Sequence, residues 1–177
     1  LDRAARIDPA DPEARYERGL VLLALGRAEE GIASFDEALA LDPAVPGGWV
    51  EKGLDLEDLG RSGDAIPAFA RATELEPGNA PAWFHRGLNL VKDGRPGDAI
   101  HPLEQAFALR KEDPRTWSVL GEARISLGRY TEAEEAFSRA IALSGGKKSQ
   151  REKLLAVRKL FADARPREGR YLARLLM

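Results

Sequence analysis

The sequence predicts an all-α fold, a right-handed superhelix of stacked antiparallel helix pairs, on two observations. The first is a period of 34 residues. Gly53, Gly60, Ala65, Phe69, Ala72 and Pro77 recur as Gly87, Gly94, Ala99, Leu103, Ala106 and Lys111, and again as Gly121, Gly128, Ala133, Phe137, Ala140 and Gly145. One step back they are Gly19, Gly26, Gly31, Phe35, Ala38 and Pro43. A period this long marks a chain built of stacked units, each too small to bury its apolar face alone. The second observation is that every period holds two apolar runs at helical spacing, parted by a glycine and closed near a proline or glycine.

The elements follow in order. Leu1–Asp8 reads as the end of a helix stopped by Pro9, one period before Pro43, so residues 1–9 are the close of a preceding unit. Since Leu1 is not an initiating methionine, the chain reads as part of something longer. In the first full unit, Tyr16, Leu20, Leu22 and Leu23 fall at helical spacing over Pro12–Leu25, and Gly26 ends that helix. A second helix over Ala28–Leu41 carries Ile32, Phe35, Ala38 and Leu39, and Asp42-Pro43 stops it. The same reading gives helices near 46–59, 62–75, 80–93, 96–109, 114–127 and 130–143. Four repeats are therefore expected over 12–145, with periods 12–45, 46–79, 80–113 and 114–147.

Pro12, Pro46, Pro96 and Pro114 sit where a first helical turn tolerates proline. Pro67 and Pro102 lie about a turn deeper and are expected on outward-facing helices, where a lost hydrogen bond is tolerated. The mid-helix glycines 19, 53, 87 and 121 each cost about 0.5–1 kcal/mol relative to alanine. Close approach of the paired helix, at the small residues Gly31, Ala65, Ala99 and Ala133, is the expected offset. Beyond Leu143 the period weakens. Residues 148–177 read as a degenerate fifth unit, or capping helices, with a helix over 149–164 and a shorter one after Pro166.

The spacing W-x3-G-x6-G-x4-A-x3-F-x2-A-x4-P in Trp49, Gly53, Gly60, Ala65, Phe69, Ala72 and Pro77 resembles the tetratricopeptide repeat. Trp83 and Trp117 repeat its opening position, which Arg15 fills in the first unit. The resemblance implies a solenoid whose first helices line a concave ligand face.

Composition excludes several classes. The chain of 177 residues has no cysteine, hence no disulfide framework and no cysteine-based zinc site. Its longest apolar run, Leu20–Leu25, is far short of the roughly 18 residues needed to span a bilayer. With no visible signal peptide, a cytoplasmic location is expected. The net charge of −2 conceals an asymmetry: residues 1–146 carry 17 Lys and Arg against 26 Asp and Glu, and residues 147–177 carry 10 against 3.

No chemistry is expected. His85 and His101, the only histidines, lie on different helices without ligand spacing, so no metal site is read. The Ser144–Lys148 stretch is not a phosphate loop, because GxxxxGK[ST] is not met. Glu29-Glu30, Glu57-Asp58 and Glu134-Glu135 are adjacent on helices and point apart. No catalytic residue and no cofactor follow.

What remains is a binding face. The resemblance places ligand-facing positions at the second, fifth, sixth, ninth, twelfth and thirteenth residue of each unit. The candidate groove residues are then Tyr16, Glu17 and Leu20 in the first unit, and Val50, Glu51, Leu54, Glu57 and Asp58 in the second. The third unit supplies Phe84, His85, Leu88 and Lys92, and the fourth Arg115, Ser118, Val119 and Glu122. Chaperone-binding members of the family hold a terminal carboxylate with a Lys/Asn/Arg set. Here the fifth and ninth positions are Tyr16 and Leu20, Val50 and Leu54, Phe84 and Leu88, so that carboxylate clamp is absent.

An apolar stripe edged by Glu17, Glu51, Glu57 and Asp58 suits a protein or peptide with apolar anchors and basic flanks. The same stripe at helical spacing would serve equally as packing between neighbouring units. The basic end reads as a solvated cap, as a patch for nucleic acid or anionic membrane, or as a ligand for an acidic groove giving weak self-association. Nucleic acid is disfavoured by the acidic body. Three functions follow: a non-catalytic interaction scaffold, a recruiting arm of a larger enzyme, or a self-assembly module.

Overall fold

The computed structural model of the chain describes residues 11–144. The expected readings of residues 1–9 and 145–177, including the capping helices and the basic end, lie outside them. Among the described residues every regular element is an α-helix: α1 Pro12–Ala24, α2 Ala28–Leu41, α3 Pro46–Asp58, α4 Ser62–Leu75, α5 Ala80–Lys92, α6 Pro96–Leu109, α7 Pro114–Ser126 and α8 Tyr130–Leu143. The contacts divide the chain into two compact units, Leu1–Ala82 and Trp83–Met177.

Each first helix ends on a glycine in the left-handed region, Gly26, Gly60, Gly94 or Gly128, with φ of 73°, 72°, 76° and 73°. Only glycine takes that conformation without a Cβ penalty. At the first of them the Gly26 N–H donates to the Leu23 carbonyl at 2.8 Å and the Arg27 N–H to Leu22 at 2.9 Å. This paired bonding satisfies carbonyls that the helix end would leave orphaned. The arginine after each glycine has a second use. Arg27, Arg61, Arg95 and Arg129 each pair with the acid three residues on, Glu30, Asp64, Asp98 and Glu132, at 2.6–2.8 Å. These pairs are exposed and add little stability. They hold the charge of each turn at the start of the second helix, where carboxylates favour the helix dipole.

The core of the first unit gathers Ile32, Leu56, Ala65, Phe69, Ala72 and Ala82, with Trp49, Val50 and Leu54 packed against it. Phe35 and Phe69 are wholly buried. In the second unit Leu103 and Leu120 take that place, and Ile125, Ala133 and Phe137 form a further cluster.

The mid-helix glycines are explained differently from the expectation. A Cβ on Gly53 would lie 2.8 Å from the Phe69 ring, on Gly121 2.7 Å from Phe137, on Gly19 2.5 Å from Phe35 and on Gly87 2.6 Å from Leu103. The glycine makes room for the large residue of the second helix, and the small residue is not its chief partner. Only at Gly31 does a small-to-small approach show, with the Gly19 carbonyl 3.3 Å from its would-be Cβ. Of the two deeper prolines, Pro67 is exposed and Pro102 is buried within α6. A ring without an N–H has no donor to satisfy, so burial leaves no unmet hydrogen bond on its own nitrogen.

Candidate functional site

In the first unit, α1 and α3 present the expected residues. Tyr16, Leu20, Val50 and Leu54 are half-buried, Glu51 and Glu57 are half-buried, and Glu17 and Asp58 are exposed. The Tyr16 ring lies 5.4 Å from Phe35, which fixes its orientation. Its hydroxyl is held above the usual phenol range, first by burial and then by the charges of Glu51 and Glu17.

A residue outside the expected set joins them. Asp55 is half-buried, its Oδ2 meets no hydrogen-bond donor, and its pKa is pushed up to about 6 by burial first, then by Glu51 and Asp58. The signal was present in the spacing. Positions 51, 55 and 58 stand four and three apart, so the three carboxylates share one side of α3.

Several described cations of this unit are engaged elsewhere. Arg15 pairs with Glu37, Lys52 with Asp36, and Arg61 with Glu29 at 3.2 Å and with Asp64 at 2.7 Å. Among the described residues no ion pair reaches Glu17, Glu51, Asp55 or Asp58. Glu17, Glu51, Asp55 and Asp58 therefore border an apolar strip without a pairing cation among the described residues.

The second unit divides its set. Phe84 and Val119 are each 7% exposed and belong to the packed interior, not to an open face. The Phe84 ring sits 5.2 Å from that of His85 and 5.3 Å beneath the Arg115 guanidinium. Arg115 itself is exposed and bound to Asp113 at 3.1 Å. His85, Leu88, Ser118 and Glu122 are half-buried, and Lys92 is exposed at the end of α5. The Ser118 hydroxyl donates to the Pro114 carbonyl at 3.1 Å, a bond within its own helix. Glu122 keeps one buried carboxylate oxygen without a donor, and burial raises its pKa.

No group of three or more His, Cys, Asp or Glu among the described residues is placed to hold a metal ion. No helix among them is long and apolar enough to cross a membrane. His101 meets the edge of Trp83 at 5.8 Å, a packing contact.

The profile of the tetratricopeptide repeat matches residues 1–46, 50–88 and 86–147. Among solved structures, MamA superposes with a TM-score of 0.74 at 22% identity over 88% of this chain and 86% of that one. MamA 41-end from Desulfovibrio magneticus RS-1 does so with 0.74 at 20%, over 93% and 94%. YrrB, described as a TPR protein with an unusual peptide-binding site, gives 0.74 at 19%, over 99% and 87%. At these identities the likeness shows the fold, an all-α solenoid of helix pairs. A DNA ligase of Methanoculleus marisnigri is 60% identical over 37 residues, 21% of this chain and 7% of the ligase. The chain thus spans a small fraction of that protein's length.

Proposed function

Because this chain belongs to the tetratricopeptide repeat family, a fold of protein–protein interaction, we propose that it is a non-catalytic module holding a peptide with apolar anchors and basic flanks. The observation that carries this is the face of α1 and α3. Tyr16, Leu20, Val50 and Leu54 offer half-buried apolar surface, and Glu17, Glu51, Asp55 and Asp58 border it without a pairing cation among the described residues. Apolar anchors would supply affinity there, and charge complementarity would set orientation and on-rate. A terminal carboxylate or a phosphate backbone would meet the same border as repulsion. In the second unit, taken by itself, Leu88, His85 and Lys92 are the proposed partner-facing residues, whereas Phe84 and Val119 are buried.

The test is selection of random dodecapeptides on the native chain and on Leu54→Glu. Enriched sequences should combine aliphatic or aromatic residues with Arg or Lys, and their binding should fall on the variant while its helical circular dichroism is retained. Enrichment of acidic peptides, or equal binding to both chains, would overturn the reading.

A second reading, the recruiting arm of a larger enzyme, has the ligase likeness in its favour. The match covers 37 residues and 7% of the ligase, too little to bring strand-joining chemistry with it.

A further inference from the structure

A cavity of about 420 Å³ opens in the first unit where α1, the end of α2 and the start of α3 meet. Its walls are apolar: the Tyr16 ring, Leu39, Val45 and the backbone of Gly48. A Cβ on the buried Gly48 would lie 3.0 Å from Leu39 Cδ2 and 3.8 Å from Tyr16 Cδ2, so the glycine lets the Leu39 side chain come close against α3 at the cavity wall. In α7 the same register holds Thr116, 2% exposed.

Three carboxylates also line the cavity: Asp11, Glu13 and Asp42. Two of them are held in place, since Asp11 Oδ1 accepts the Glu13 N–H at 3.0 Å and Asp42 Oδ1 the Ala44 N–H at 2.9 Å. Each still has a second oxygen. Among the described residues no ion pair reaches any of the three, and the neighbouring Arg15 and Arg18 are turned to Glu37.

We propose that this cavity seats one arginine of the bound peptide together with the apolar residue beside it. The proposal rests on the peptide-binding reading above and names a specificity subsite within it. A cavity of this size lies near the small end of the roughly 300–1,000 Å³ typical of ligand sites, which suits a two-residue fragment. Arginine combines what the walls and the rim each ask for. Its methylene stem packs on Leu39 and Val45 while the charged head stays at the carboxylates. Its planar guanidinium can bridge two carboxylates and lie against the Tyr16 ring, which a lysine ammonium does less well.

The test uses the full chain, labelled for amide NMR, with N-acetyl-leucyl-arginine amide as probe. The controls are the citrulline dipeptide, equal in shape without the charge, and the lysine dipeptide. Saturable shifts centred on Tyr16, Leu39 and Gly48 are expected for arginine, with citrulline about tenfold weaker and lysine intermediate. The triple variant Asp11→Asn/Glu13→Gln/Asp42→Asn keeps the capping oxygens and should erase the preference for arginine over citrulline. Equal binding of arginine and citrulline, equal binding of lysine and arginine, or arginine shifts confined to other residues would each overturn the assignment. The two readings separate cleanly. If selection yields basic peptides but the dipeptide leaves Gly48 unmoved, the subsite falls and the groove stands. If the dipeptide seats while Leu54→Glu changes nothing, the groove falls and the cavity stands alone.

Discussion

The starts of α3 and α7 occupy the same position in the repeat and do opposite things. Val45 has φ −89° and ψ 102°, Asp113 φ −88° and ψ 106°, so the backbone enters both helices alike. At Asp113 the carboxylate accepts the Arg115 N–H at 3.0 Å and caps α7. At Val45 no side-chain cap bond exists. Thr116 and Trp117 are then buried at the start of α7, whereas Val45 and Gly48 line a cavity at the start of α3. The backbone path is common to both, and the side chains along it set the two openings apart.

The largest effect should separate the two tryptophans. Trp117 is 7% exposed, packed at 4.5 Å on Phe107 with the Arg139 guanidinium 4.7 Å from its ring. Trp49 is half-buried and donates its indole N–H to the Pro43 carbonyl at 3.1 Å. Trp117→Ala should cost about 3–5 kcal/mol, as full aromatic truncations in a core do. Trp49→Ala should cost about 1–2 kcal/mol, in proportion to the smaller area it buries. Urea denaturation of both variants reads the difference directly. Equal losses would mean that the two openings are packed alike, and the contrast would collapse.

A smaller effect comes from exchanging the caps. Asp113→Ala should destabilise by about 1 kcal/mol, the usual loss of an N-cap oxygen. Val45→Asp should gain about 0.5–1 kcal/mol, since the backbone already holds the conformation an aspartate needs there. The substitution also sets a fourth carboxylate at the cavity, so the arginine dipeptide should bind Val45→Asp more tightly. A loss of stability in Val45→Asp would show that the valine is required by its packing against the cavity wall.

How much of this was legible depends on whether a feature is local. The 34-residue period and helical spacing place the eight helices of the described residues to within a residue or two, and Gly26, Gly60, Gly94 and Gly128 are legible as helix stops because their φ is a property of one residue. The partner of each mid-helix glycine was not, since Phe69 meets Gly53 only after two helices have paired. Equivalent register does not ensure equivalent exposure either. Tyr16 and Phe84 are both fifth residues of their units. Gly48 lies against Tyr16 and leaves it half open, while the Arg115 side chain covers Phe84. The acidic side of α3 could have been read from positions 51, 55 and 58 taken together. Burial of Asp55, which makes that side unusual, could not.

Asp55 and Asp113 give the comparison its last test, because the two carboxylates are shifted in opposite directions. Burial first, then Glu51 and Asp58, raise Asp55 from 3.8 to about 6. For Asp113 burial again acts upward, but the hydrogen bonds and charge of Arg115, with a contribution from Arg110, outweigh it and lower its pKa. Between about pH 4 and 6 the folded chain binds more protons at Asp55 than the unfolded chain, so this group makes stability fall as pH rises through that window. Asp55→Asn should therefore be more stable than the native chain at pH 7, by about 1 kcal/mol once solvent screening is allowed for, and equal to it below about pH 4. Asp113 works the other way: its stabilisation is present above the ordinary carboxylate range and is lost as pH falls through its depressed folded value. Asp113→Asn keeps a capping oxygen, so its cost should appear at pH 7 and shrink in acid. Urea midpoints for the two variants at pH 7 and pH 4 decide the matter. A neutral or destabilising Asp55→Asn at pH 7 would mean that the carboxylate already has a compensating partner, and the face of α3 would lose its claim on a basic ligand.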